Sequence, residues 1–262
     1  MKGLATSFHL LGALAFVLVS LAVSVRLIRL SRRTLEQPEL LLGLGILGTA
    51  VLGYGLQITA MILLGDPFAP VITTATVAFT FAGKLFHDTG VTMILLFVLT
   101  VFRRGDRRAY ACFALVNAAM WSGMIGLGLS DGYRDPLVKN AWWWLEYSVI
   151  WTYPLWPAFE SLRYHRLMRR RQRLGLADPL TTNRFLLWGA CSLGTFLAVA
   201  TTSLPMLLAD PADRVAIQSV SYLATAAFGI GTVSLYALTF FPPAWYRSWI
   251  RGADPTGAPQ AA

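Results

Sequence analysis

The hydrophobic residues of this 262-residue chain are gathered into seven runs: Ser7–Leu30, Pro38–Leu64, Pro70–Phe102, Ala109–Leu129, Val138–Tyr164, Asn183–Leu208 and Asp213–Phe241. About 20 apolar residues cross about 30 Å of hydrocarbon, and a helix is the single-segment structure that satisfies its own backbone there. The composition agrees, with 56% hydrophobic and only 13% charged residues, where soluble domains carry about 25% charged. That balance excludes a water-soluble globule. The expected fold is therefore all-α and integral to the membrane, a single domain of seven transmembrane helices over residues 7–30, 38–64, 70–102, 109–129, 138–164, 183–208 and 213–241, with a short tail over 242–262. Asp66-Pro67, Asp135-Pro136, Asp178-Pro179 and Asp210-Pro211 mark boundaries, because Asp caps a helix start and Pro cannot continue the helix before it.

Orientation follows from where the Lys and Arg residues lie. Seventeen fall in the first, third and fifth connections, with their flanks, and in the tail, whereas the other side holds only Lys2, Arg134, Lys139 and Arg214 beside several Asp residues. Basic residues collect on the cytoplasmic side, so the N-terminus is expected outside and the C-terminus in the cytoplasm, in a multi-pass protein of the plasma (inner) membrane. The first run has most of its positive charge after the apolar stretch and reads as an uncleaved helix, not a signal peptide. The net charge of +9 is thus a topology signal and gives no ground for nucleic-acid binding. Arg163, Arg166, Arg169, Arg170, Arg171 and Arg173 form a basic run with interspersed apolar residues. Such a run either anchors topology or lies on anionic lipid headgroups. Cys112 and Cys191 fall in the cytoplasmic halves of their helices, where a disulfide is not expected.

The third run carries Lys84, His87 and Asp88 near its centre, where a charge facing lipid costs at least about 2.5 kcal/mol. These residues are expected to face the bundle. Thr73, Thr76, Thr80, Lys84, His87 and Asp88 share one helical stripe, which continues as Val91, Leu95, Val98 and Phe102. The pattern predicts a polar lining that descends from outside and ends on an apolar floor. Lys84 and Asp88 can pair within the helix. Alternatively Lys84 pairs with Glu146 of the fifth run, leaving His87 and Asp88 for a solute or proton. In the fifth run Glu146, Tyr153, Pro157, Glu160 and Tyr164 lie on one face, Pro154 and Pro157 interrupt the backbone, and Trp142, Trp143 and Trp144 resemble an interfacial belt. The seventh run presents Gln218, Ser221, Tyr222, Thr225, Gly229, Thr232 and Tyr236 on one face. Small and hydroxyl residues at such spacing also serve close helix packing, as do the glycines of the second run. Gln57 and Asn117 are read as helix-to-helix hydrogen-bonding groups, and His9 as lying near the outer surface.

A partial repeat relates Leu41–Thr49 (LLGLGILGT) to Leu187–Thr195 (LWGACSLGT), and Val98–Phe102 (VLTVF) to Ala237–Phe241 (ALTFF). These fall in matching positions of a three-plus-one-plus-three chain, a construction used by transporters. Retinal proteins need a lysine in helix seven, which is absent here. The string signatures of G-protein-coupled receptors and of three-plus-one-plus-three sugar carriers are also missing, and a single deep histidine does not make a zinc or haem site. The sequence therefore predicts no enzyme and no cofactor. Its leading reading is a small-solute carrier or permease with an outward-opening polar cavity, coupled to a proton, whose site is Lys84, His87, Asp88, Glu146, Gln218 and Tyr222. The rivals are a seven-helix sensor needing a separate output partner, and a structural or assembly subunit.

Overall fold

The computed structural model of the chain describes residues 2–65, 71–134, 139–208 and 214–252. Among the described residues the structure is helices joined by short connections, with no strand. The helices are α1 (Lys2–Thr34), α2 (Gln37–Ile46), a π-helical stretch (Leu47–Gly53), α3 (Tyr54–Leu64), α4 (Thr74–Phe102), α5 (Arg107–Leu129), α6 (Ala141–Thr152), α7 (Leu155–Arg173), α8 (Pro179–Leu208), α9 (Arg214–Phe240) and α10 (Ala244–Gly252). Six helical units are long and apolar enough to cross a bilayer, with α2, the π stretch and α3 counting as one continuous rod. This is a multi-pass membrane protein. Leu11, Leu14, Leu18, Leu115 and Leu129 stand exposed on its outer surface, as side chains solvated by lipid tails do.

The fifth hydrophobic run is where the expectation of seven uniform helices meets a difference. Prolines 154 and 157 lack the N–H groups that would bond to the turn before them, so the rod ends at Thr152 and restarts at Leu155. The products are a 12-residue α6 and a 19-residue α7 whose second half is arginine-rich, and neither alone has the length and apolarity of a span.

Interhelical approach in this bundle is set by glycine. A Cβ at Gly45 would lie 3.2 Å from the Gly90 carbonyl oxygen of α4, one at Gly48 2.8 Å from the Phe86 oxygen, and one at Gly53 2.8 Å from His87 Cα. Gln57 continues this line against Gly83. The spacing is three, five and four residues. An α-helix would carry the fifth residue to the other side, but i→i+5 hydrogen bonding brings it back onto the same line, so the π stretch keeps one glycine face on α4 for its whole length.

Two apolar clusters fill the bundle. One joins Val91 and Leu95 of α4 to Met120 of α5 and to Val149 and Tyr153 at the end of α6. The other joins Val23 and Leu27 of α1 to Leu42, Ile46 and Ala50, flanked by Phe97, Trp188, Tyr236 and Phe240. Helix starts carry the caps the sequence offers: Thr73 and Thr76 form a reciprocal capping box, Asp106 accepts from Arg108 N–H at 3.0 Å, Asn140 accepts from Trp143 N–H at 3.0 Å, and Asp178 accepts from Thr181 N–H at 2.9 Å ahead of Pro179. The Asp66, Asp135 and Asp210 boundaries and residues 253–262 lie outside the described residues. Of the three tryptophans expected in a belt, Trp142 and Trp144 are exposed but Trp143 is buried, stacked on Tyr147 with ring centres 4.0 Å apart. Both cysteines are free thiols, Cys112 exposed and Cys191 buried. In the tail, α10 packs back on α8 through a hydrogen bond between Asn183 and Tyr246.

Candidate functional site

The charged residues of α4 point into the bundle. Lys84 is buried and its Nζ donates to Glu146 Oε1 of α6, so the cross-helix pairing is formed and not the Lys84–Asp88 pairing within α4. The ammonium also sits 4.7 Å from the centre of the Tyr147 ring, a face that attracts cations. Gly123 of α5 makes room for the partner, since a Cβ there would stand 2.7 Å from Glu146 N and Cβ. One turn below, His87 Nδ1 is 3.1 Å from Asp88 Oδ1. Asp88 and Glu146 are fully buried, and Asp88 Oδ2 and Glu146 Oε2 have no hydrogen-bonding partner. The quartet holds two carboxyl groups against one ammonium and one imidazole.

A cavity of about 370 Å³ lies beside this quartet, bounded by every helical unit of the bundle except α5 and α10. Lys84 and His87 line it, whereas Asp88 and Glu146 sit behind them. The expected threonine lining is not there: Thr73, Thr76 and Thr80 do not reach the cavity, because their hydroxyls are spent on the α4 cap and on the carbonyl one turn back. The hydroxyl and amide groups come instead from other elements, among them Thr49 of the π stretch, Gln57 of α3, Thr195 and Thr202 of α8, and Thr225 and Thr232 of α9. Thr49 and Thr195 end the two related sequence strings, and both face this space.

Most of the lining is aromatic or aliphatic, including Phe16, Tyr54, Tyr147, Tyr153, Trp188 and Tyr236. Tyr222 lines the cavity, accepts a 2.9 Å hydrogen bond from Gln218 Nε2 and donates to Met61 Sδ at 3.8 Å. Gln218 itself stands behind Tyr222. Sequence reasoning missed His9, which is buried and stacked on Tyr222 with ring centres 4.7 Å apart. The signal available was its spacing of three from Gly12 and seven from Phe16, which also line the cavity. Asn117 behaves as expected, accepting from the Thr92 hydroxyl at 2.6 Å across the α4–α5 contact.

Toward the arginine-rich end of the bundle lies a third buried carboxylate. Glu160 of α7 accepts from Arg103 Nε at 2.7 Å and from Arg163 Nη1 at 3.5 Å, and Arg103 also lies 3.5 Å from Asp106. Phe102, Tyr164 and Phe185 pack edge to face or tilted beside this network, with ring centres 5.1 to 6.2 Å apart. Glu160 was legible as part of the polar face of the fifth run, but its partner at the end of α4 was not. Arg166, Arg169, Arg170, Arg171 and Arg173 are exposed. No group of three or more His, Cys, Asp or Glu side chains is gathered around a metal-sized space among the described residues. Compared with family models, with curated proteins and with solved structures, the chain shows no match.

Proposed function

We propose that this protein is a small-solute carrier of the plasma membrane, with α6 and α7 together making a fifth of seven crossings, the N-terminus outside and the C-terminus in the cytoplasm. The observation that carries this reading is the cavity of about 370 Å³ bounded on one side by Lys84 and His87, within the size range of small-molecule sites. Its mainly aromatic and aliphatic walls favour a solute with one flat apolar face and one polar group. The polar group is met by His87, Gln57 or the threonine hydroxyls. The Glu160 network and the aromatic layer at the arginine-rich end support a reading in which this form is closed to the cytoplasm. Coupling runs through the proton on His87–Asp88, since moving that proton changes the charge balance of a water-poor quartet.

The test is uptake into proteoliposomes under an inward proton gradient, using solutes first selected by thermal shift from a panel of indoles, aromatic amines and aromatic amino acids. At least one is expected to raise the melting temperature and to accumulate with wild type, and Asp88→Asn is expected to abolish gradient-driven accumulation. Binding without transport in either form indicates a sensor and overturns the carrier reading. No shift and no uptake across the panel leaves the quartet a packing device and overturns it as well.

A further inference from the structure

A groove of about 740 Å³ runs along the outer face of α1, with Phe241, just past α9, also lining it. Its two halves differ in chemistry. Toward mid-span it is lined by Leu18, Leu21, Ala22 and Val25, and toward the arginine-rich end by Arg26, Arg29 and Arg33. The stripe covers residues 18 to 33, about 22 Å at about 1.5 Å per residue, so that its order along the helix, apolar then cationic, is the order of acyl chain then phosphate in one leaflet. None of the three arginines forms an ion pair among the described residues, and all three are exposed. Arg26 is the one with a fixed neighbour, its guanidinium lying 4.8 Å from the centre of the Phe241 ring. Three cations on consecutive turns without a carboxylate, at the mouth of an apolar trough, are complementary to a phosphodiester carrying two acyl chains.

We infer that this groove is a binding site for one anionic diacyl phospholipid, its phosphate held by Arg26, Arg29 and Arg33 and its acyl chains lying along Leu18, Leu21 and Val25. The site is separate from the solute cavity, which α1 lines from its inner face through His9, Gly12 and Phe16. Arg32 supplies the internal control. It lies on the same helix, is exposed and carries the same charge, but does not line the groove.

The experiment compares wild type, Arg29→Gln, Arg32→Gln and Ala22→Trp by native mass spectrometry after equal loading with dioleoyl phosphatidylglycerol or dioleoyl phosphatidylcholine. Wild type is expected to retain one phosphatidylglycerol in preference to phosphatidylcholine. Arg29→Gln is expected to reduce that retention by at least fivefold, Arg32→Gln to leave it within twofold, and Ala22→Trp, which fills the trough without changing charge, to reduce it as Arg29→Gln does. Because these positions face outward, unchanged helical circular dichroism is expected for every variant. Equal losses at Arg29 and Arg32 mean bulk surface charge and overturn the site. Retention of phosphatidylcholine equal to phosphatidylglycerol overturns it too, as does a lipid-free dimer, which places a second copy in the groove.

Discussion

Lys84 and Glu146 lie buried in the interior of the bundle as each other's partner. Removing one partner leaves an uncompensated buried charge, at a cost of about 3–5 kcal/mol, while replacing both with apolar side chains of similar volume is often neutral or better. Lys84→Met and Glu146→Leu are each expected to lower the thermal midpoint sharply in detergent, and the double variant to recover most of the loss. Additive losses in the double variant would contradict the pairing. At the start of α8, partial burial pushes the Asp178 carboxyl up, but hydrogen bonds from Thr181 and Leu180 and the charge of Arg251 outweigh it and hold the group below its ordinary value. A depressed carboxylate contributes stability above its unfolded pKa, and that stability is lost as pH falls through the folded value. Asp178→Ala is therefore expected to cost about 1 kcal/mol at neutral pH, with the difference from wild type shrinking below about pH 4. At this scale the sequence disclosed what lipid forbids: Lys84, Asp88 and Glu146 had to face inward. It did not disclose partners on other helices, so Arg103 for Glu160 went unread. His9 was not read as part of the cavity wall, because nothing in a residue's distance from the chain start tells which face of the helix it shares.

The second and fifth hydrophobic runs show how such a run conceals the shape of its rod. In the second span the glycines at 45, 48 and 53 form no stripe on a period of 3.6, and the line appears only once a π turn takes up the extra residue. In the fifth, Pro154 and Pro157 were legible as interruptions, but the run length alone pointed to one helix. The second span comes nearest to α4 at Gly90, where a Cβ would meet the Thr49 amide and stand 2.7 Å from the Gly45 oxygen. Both are backbone atoms that cannot swing aside. Gly90→Ala is expected to destabilise by about 1–3 kcal/mol through overpacking, whereas Gly229→Ala, with nothing within 4 Å of its Cβ, gains up to about 1 kcal/mol of helix propensity. Thermal midpoints of the two variants in the same detergent separate these outcomes, and a neutral Gly90→Ala would contradict the close approach.

Across the whole molecule, the proposed orientation is checked by single cysteines at Arg104 and Arg134. Both side chains are exposed, and neither has the positive φ of Gly105 at 81° or Asp131 at 55°, where a cysteine would strain the turn. A membrane-impermeant maleimide is expected to label Arg134→Cys on intact cells and Arg104→Cys only after permeabilisation; the reverse pattern would invert the topology. Membrane class and number of hydrophobic runs were plain in the sequence because hydrocarbon imposes them on composition. A cavity at Lys84, His87 and Tyr222 was expected, but not its mainly aromatic and aliphatic walls, since those side chains read equally well as packing. The unbroken α4 carries Lys84 and Arg103, nineteen positions apart, and the broken α6–α7 carries their partners Glu146 and Glu160, fourteen positions apart. On straight helices those intervals differ by about 7 Å, a gap spanned by the joint at residues 153–154 and the long reach of the cations. The arrangement is a rigid post with a jointed brace bolted to it at top and bottom. The two ion pairs thus tie each half of the broken run to the same unbroken helix, the upper one beside the chamber wall where His87 stands.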